Sequence, residues 1–257
     1  FLEQKRIETG VIAAQKADQV TLLRRAYLDL TGLPPTPEQL EQFIGDSSPD
    51  AWAKLIDKLL ASPRYGERWS RYWLDLVRFA ETDGYERDKL KPNIWRYRDW
   101  VINALNNDMP YTRFVAEQLA GDEVPNRTEQ SVIATGMIRT GTWNDEPNDP
   151  ADYLYTRLED MVHTTTSAFL GLTVKCARCH DHKFDAISTK DYYALTGFMQ
   201  SSRRDIRAVY PETVMKPLIE KMADAQAKLS SDVATGISPQ SLLSGQDFAK
   251  YLMAARE

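Results

Sequence analysis

Residues 20–37, with the sequence VTLLRRAYLDLTGLPPTP, contain the pattern that decides the fold class of this 257-residue chain. Their apolar side chains recur at the three- and four-residue spacing of one helix face. Gly32 and the two prolines that follow stop this helix, because proline lacks the backbone N–H that a helix needs. Thr36 and Pro37 then supply an N-cap and a first helical residue. The stretch therefore predicts two short helices in succession.

The same combination of polar cap, proline and apolar stripe recurs further along the chain. Ser48-Pro49 and Ser62-Pro63 each precede a helical stripe, and Ser188 with Asp191 resembles a capping box. Apolar periodicity also predicts helices over residues 95–105, 111–119 and 153–169.

No sustained alternation of apolar and polar side chains occurs, so a sheet of any size is not expected and the fold class is mainly α. Residues 140–150 and 171–188 lack periodicity and predict irregular loops.

The sequence changes character from residue 217 onward. A narrow apolar stripe in otherwise polar sequence predicts one arm of a C-terminal helical hairpin; its residues are Leu218, Met222, Ala225 and Leu229. This arm either projects or pairs with a second arm, residues 248–253. We therefore expect one domain over residues 1–210 and a helical arm over residues 211–257, the start of a longer continuation.

Composition excludes several classes of protein. The 37 acidic residues outnumber the 32 basic ones, which gives a net charge of −5 and a pI near 5.4. This balance argues against nucleic acid as a partner, because phosphate binding requires clustered cations. The apolar runs are too short to cross a bilayer, so no membrane span is expected.

Both cysteines of the chain lie in the pentad Cys176-Ala177-Arg178-Cys179-His180. CxxCH is the attachment pattern of a c-type haem, in which each thiol forms a thioether with a vinyl group and the histidine binds the iron. The pentad predicts one covalent haem c on Cys176 and Cys179, with His180 as the proximal ligand. We expect this domain to fold as irregular helices around that haem.

Three other interpretations of the cysteines remain open: a zinc site, a redox disulfide and inert thiols. A zinc site would use Cys176, Cys179, His182 and His163, although structural zinc sites usually take their second pair of ligands from a dozen or more residues away. A redox disulfide would be expected beside a strand in an α/β domain, a context that the sequence does not show.

The second axial ligand of the iron has two candidates. His163 lies on the predicted helix before the pentad, and Met199 lies on the helix after it. The alternatives are a surface or packing role for His163, core packing beside Phe198 for Met199, and an iron that has no second protein ligand.

His182 is a candidate for a role close to the haem. Two extended residues span about 7 Å, which is too short to carry the chain from His180 round the haem edge to the opposite face of the iron. His182 could instead bind a propionate or act as a catalytic acid or base. The alternative is a histidine that Asp181 or Asp185 satisfies locally.

Three arginines lie among aromatic residues and are candidates for binding the haem propionates: Arg78, Arg96 and Arg98. Ion pairs with Asp75, Asp83 or Asp99 are the alternative for each. Four tryptophans offer a sugar-stacking surface, with core packing as their alternative: Trp69, Trp73, Trp95 and Trp100.

Residues 171–185, GLTVKCARCHDHKFD, resemble the signature of the planctomycete cytochrome c-like domain, DUF1549. The similarity covers about residues 20–200 and departs at Lys175 and Ala186, where the family often has Gly and Pro. Its further matching strings are LLRRAYLDLTGLPPTP (22–37), YGERW (65–69), WLD (73–75), WRYRD (95–99), EQLAGD (117–122) and DYY (191–193).

The resemblance implies a periplasmic or secreted haem protein, usually followed by a second domain, DUF1553, and encoded near polysaccharide-degrading proteins. We therefore expect an export signal upstream of Phe1. The expected function is electron transfer to a partner protein or a small acceptor, or service as the haem module of an oxidoreductase. The alternative is a carbohydrate-binding or structural module in which haem or zinc only stabilises the fold.

Overall fold

The computed structural model of the protein describes residues 1–202 and 212–236. These residues form eleven α-helices and two 3₁₀ turns, with a single isolated β-bridge between Thr82 and Leu90 and no strand. The predicted mainly α fold is confirmed. Helices α1 to α11 are, in order, Leu2–Glu8, Gln19–Thr31, Pro37–Gly45, Ala51–Leu60, Pro63–Leu76, Trp95–Asn106, Tyr111–Ala120, Glu129–Ala134, Pro150–Leu170, Thr189–Gln200 and Glu212–Gly236; the 3₁₀ turns are Thr135–Arg139 and Val174–Arg178.

Most of the predicted helix starts are confirmed by side-chain caps. Thr36 forms a reciprocal capping box at the start of α3, Ser188 and Asp191 form another at α10, and Ser62 accepts a hydrogen bond from a backbone N–H of α5. The prediction that α4 begins at Ser48-Pro49 was wrong. These residues form a turn, in which the Ala51 N–H donates to the Ser48 carbonyl, and the helix begins after it.

Glycines end three helices for two different physical reasons. Gly32 and Gly171 adopt positive φ angles of 73° and 65° at the ends of α2 and α9, a conformation that a side chain disfavours. Gly121 ends α7 at a φ of −63°. It is required there because a Cβ would lie 1.8 Å from the Ser131 carbonyl oxygen of α8.

Four elements do not follow from the periodic patterns: α1, α8 and the two turns Thr135–Arg139 and Val174–Arg178. Each has at most seven residues, which is too few to show a recurring apolar face. The start of α8 nevertheless carries a local signal, because Thr128 and Ser131 form a capping box.

The domain contains three clusters of buried side chains. The first lies between α5, α6, α7 and the turn Thr135–Arg139, and it includes Trp100 with Trp73 packed against it. At its centre the Gln118 side-chain oxygen accepts hydrogen bonds from Trp73 Nε1 at 2.9 Å and the Tyr97 hydroxyl at 2.6 Å. The second cluster joins α2 and α4. The third joins α9, the turn Val174–Arg178 and α10, and it supports the candidate site.

The chain divides into two units, residues 1–204 and residues 205–257. In the second unit, α11 carries the whole predicted stripe from Leu218 to Leu229, so the first arm is helical as expected. The predicted second arm, residues 248–253, lies outside the described residues. No helix in the described part of the chain is long and apolar enough to cross a membrane.

Candidate functional site

The 3₁₀ turn Val174–Arg178, here called the motif turn, holds the cysteine pentad against the third cluster. Val174 and Ala177 are buried, at 3% and 0% exposure, between α9 and α10. Cys176 and Cys179 are exposed and unpaired. The core side of the turn is thus fixed by packing, while both thiols remain accessible.

Glu159 of α9 forms ion pairs with both ends of the motif turn. Its carboxylate, whose side chain is 13% exposed, accepts from Lys175 Nζ at 2.7 Å and from Arg178 Nη1. These two cations flank Cys176 in the sequence. Glu159 carries no signal in the sequence, because no spacing rule connects an acidic residue on one helix with a turn fifteen residues later.

His180 is exposed and directly follows the second thiol. Its Nδ1 lies 2.7 Å from the backbone carbonyl oxygen of Asp181, so Nδ1–H donates and Nε2 carries the free lone pair. This tautomer suits a metal ligand, because the backbone hydrogen bond orients the ring and leaves Nε2 to face a metal.

The His182 ring is buried, with 5% of its side chain exposed. Nδ1 accepts from the backbone N–H groups of Phe184 at 3.3 Å and Asp185 at 2.9 Å, and Nε2 lies 3.0 Å from the Thr173 hydroxyl. The ring is therefore satisfied locally, chiefly by backbone amides. The Asp185 carboxylate is 3.3 Å from Nδ1, while the Asp181 carboxylate instead accepts from the Thr189 N–H.

The two candidates for the far side of the iron lie on helices that pack against the motif turn. His163 of α9 is half-buried, and its Nδ1 pairs with the Ser167 hydroxyl at 3.2 Å. Met199 of α10 is half-buried and packs against the third cluster, whereas its neighbour Phe198 is 77% exposed. Met199 thus makes core contacts, though not beside Phe198, and iron ligation by either residue stays a prediction.

Arg78 follows α5 in a left-handed conformation, with a φ of 52°. Its guanidinium binds the Asp160 carboxylate of α9 through Nε at 2.8 Å and through Nη2, and Nη1 donates to the Val77 carbonyl. An ion pair holds this arginine, with an acid that differs from the three considered from the sequence.

Arg96 and Arg98 lie on α6, which packs most extensively on α5. Arg98 pairs with Asp99 at 2.9 Å and with Glu81 at 3.1 Å, and the Arg96 guanidinium lies 4.6 Å from the centre of the Trp95 ring. Arg98 therefore already has carboxylate partners, and Arg96 has an aromatic one. Propionate binding by these arginines, like that by Arg78, stays a prediction.

One segment, residues 171–185, brings together four of the predicted site residues: Cys176, Cys179, His180 and His182. His163 and Met199 lie on the helices that pack against the motif turn, and the three arginines lie outside this segment. Within residues 1–202 and 212–236, no group of three or more His, Cys, Asp or Glu side chains is arranged to hold a metal ion. The four zinc ligands considered from the sequence are thus not assembled, and both ring nitrogens of His182 are engaged.

The fold and this segment define a class: a helical domain that presents a CxxCH pentad at its surface. The chain belongs to the DUF1549 family, because the family model PSCyt2, described as a protein of unknown function, matches residues 1–204. No curated protein and no solved structure matches the chain.

Proposed function

We propose that this protein is an extracytoplasmic c-type haem protein, which transfers electrons or serves as the haem module of an oxidoreductase. One observation carries the proposal. The only two cysteines of the sequence are exposed and unpaired: Cys176 lies on the motif turn, which the core holds in place, and Cys179 directly follows it. His180 comes next, with Nδ1 engaged by a carbonyl and Nε2 left for a ligand.

The residues present fit a covalent haem. A thioether forms when a thiol adds its sulfur to one carbon of a vinyl group and its hydrogen to the other, so attachment needs reduced thiols and no leaving group. Cys176 and Cys179 meet that requirement. His180 offers its Nε2 as the ligand atom, because Nδ1 is engaged by the Asp181 carbonyl.

Bound haem would supply one-electron chemistry at the iron. The chain would contribute orientation: His180 is held by the Asp181 carbonyl, and Glu159 fixes the motif turn through Lys175 and Arg178. The exposed position of the segment favours electron exchange with a partner protein or a small acceptor at the surface.

The remaining parts of the proposal follow from haem attachment and from the family resemblance. Attachment to CxxCH ordinarily takes place outside the cytoplasmic membrane, which supports a periplasmic or secreted location. A DUF1553-like domain in the full-length protein, a planctomycete source and a link to polysaccharide use are the expectations that the resemblance adds.

The test is expression with an export signal in a bacterium that carries c-type maturation machinery. We expect a mass increase of one haem that survives denaturation, together with the absorbance of a c-type haem. The variant Cys176→Ala/Cys179→Ala is the matched control and should carry no covalent haem. A matured wild-type sample without the mass increase would refute the proposal.

A second candidate, polysaccharide binding, is favoured by an aromatic surface on α5. Trp69 is 41% exposed, and its ring lies 5.4 Å from Tyr72 and 6.1 Å from Tyr65. Trp73 and Trp100 belong instead to the core. Binding of the wild type to insoluble polysaccharides, with loss of that binding in Trp69→Ala, would support this candidate. Equal binding of the wild type and the variant would contradict it.

A further inference from the structure

Phe184 stands in solvent four residues after His180. Its side chain is 83% exposed, and its ring meets the edge of the His182 ring and the Lys183 ammonium, which lies 5.1 Å from the ring centre. Burying a phenylalanine side chain contributes about 1.5–3 kcal/mol. The fold of this domain does not gain that contribution at Phe184.

A single exposed phenylalanine on a mobile loop would need no explanation, but the backbone around Phe184 is held firmly. His182 Nδ1 accepts from the backbone N–H of Phe184 itself and from that of Asp185. The backbone N–H of His182 donates to the Ile187 carbonyl at 2.8 Å, and the backbone N–H of Ile187 donates to the Asp185 carbonyl at 2.8 Å. Hydrogen bonds therefore fix the backbone that carries the exposed Phe184 side chain.

The same hydrogen bonds join Phe184 to the segment that carries the cysteine pentad. The His182 ring reaches from the Thr173 hydroxyl, just before the motif turn, to the amides of residues 184 and 185, just after the pentad. Four residues span at most about 14 Å, so Phe184 lies within reach of a haem ring bound to His180.

We propose that Phe184 packs against the haem attached to Cys176 and Cys179 and shields that haem from water, and that His182 is the positioning residue that holds Phe184 there. This inference rests on the proposed function. A haem is a large apolar surface, and its attachment to three exposed residues leaves that surface to be covered. Leu172 and Ile187 of the same stretch pack against the third cluster, whereas Phe184 is exposed and available to cover the haem.

The proposal predicts a direct contact and a change in potential. In the matured ferrous wild-type protein, we expect NMR cross-relaxation between aromatic ring protons and haem substituents, and the signals should vanish in Phe184→Ala. Exposure to water stabilises the more charged ferric state, so Phe184→Ala should lower the midpoint potential. Phe184→Leu, which keeps an apolar cover, should lower it less.

Leu90→Ala is the matched control, because Leu90 is 75% exposed in a loop outside the third cluster. It should leave the potential unchanged. For the positioning residue, His182→Asn keeps an acceptor near the place of Nδ1 and should retain the Phe184 cross-peaks, whereas His182→Ala should lose them while haem remains attached.

The outcomes separate this inference from the proposed function. Cross-peaks that are lost in Phe184→Ala, with a lowered potential relative to Leu90→Ala, support it. Covalent haem without such cross-peaks, or with equal potentials in these two variants, overturns the role of Phe184 and leaves the haem protein intact. Absence of covalent haem from the matured wild type overturns both.

Discussion

Replacing Glu159 with glutamine removes the charge that holds both ends of the motif turn and preserves the volume of the side chain. Lys175 and Arg178 stay 51% and 39% exposed, so water screens both ion pairs and hydrates both cations once the carboxylate is gone. About 0.5–1 kcal/mol for each pair gives a loss of about 1–2 kcal/mol in the free energy of unfolding. In a domain of this size, that loss corresponds to a Tm about 2–8 °C lower.

The assay is urea unfolding followed by tryptophan fluorescence, at low salt and at 1 M NaCl. Glu67→Gln is the control, because Glu67 pairs with Arg64 on the surface of α5 with 47% of its side chain exposed. The control should lose less than about 0.5 kcal/mol. The deficit of Glu159→Gln should shrink at high salt, since salt screens the ion pairs of the wild type. Equal stability of the two variants at low salt would refute the claim that Glu159 holds the motif turn in place.

Three further predictions concern packing, ligation and pH. Gly121→Ala should lower the free energy of unfolding by about 3 kcal/mol or more, because its Cβ would clash with the backbone of α8. Gly197→Ala, in open space on α10, should raise it by about 0.5–1 kcal/mol. Thermal unfolding measures both changes. In the matured protein, replacing His180 should shift the Soret band and change the spin state, whereas replacing His182 should leave proximal ligation intact; a spin-state change from His182 alone would contradict the assignment. Hydrogen bonds from Ser188 hold the pKa of Asp191 below its ordinary value of 3.8, so the carboxylate stabilises the fold above that pH and the contribution is lost as the pH falls through the lowered pKa. The stability difference between wild type and Asp191→Asn should therefore shrink as the pH falls below 3.8, and a difference that does not change over that range would argue against the linkage.

The sequence predicted the elements whose signals are local. The cap at Thr36, the box at Ser188 and the glycine at the end of α2 depend on residues within one turn of each other, so they can be recognised without a structure. Ser48-Pro49 shows the limit of that reasoning, because the same pair of residues also forms a turn before a helix that begins later.

Partners that are distant in sequence could not be predicted in the same way. Glu159 and the motif turn, or Arg78 and Asp160, meet because helices pack, and no pattern in the chain fixes which acid a given arginine finds. The pentad was recognisable because its chemistry requires adjacent residues. The role of His182 in closing its own loop was not, since its hydrogen bonds involve backbone amides that any residue carries.

The three-residue period of the motif turn limits how the pentad can vary in length. Val174 and Ala177 face the core three residues apart, as expected where three residues complete one turn. Cys176 and Cys179, the residue that directly follows the turn, face solvent with the same separation. Inserting or deleting one residue between the cysteines would rotate the second thiol by about 120°. That rotation would displace either Ala177 from the core or a sulfur from the surface, so in this fold packing and chemistry select the same spacing.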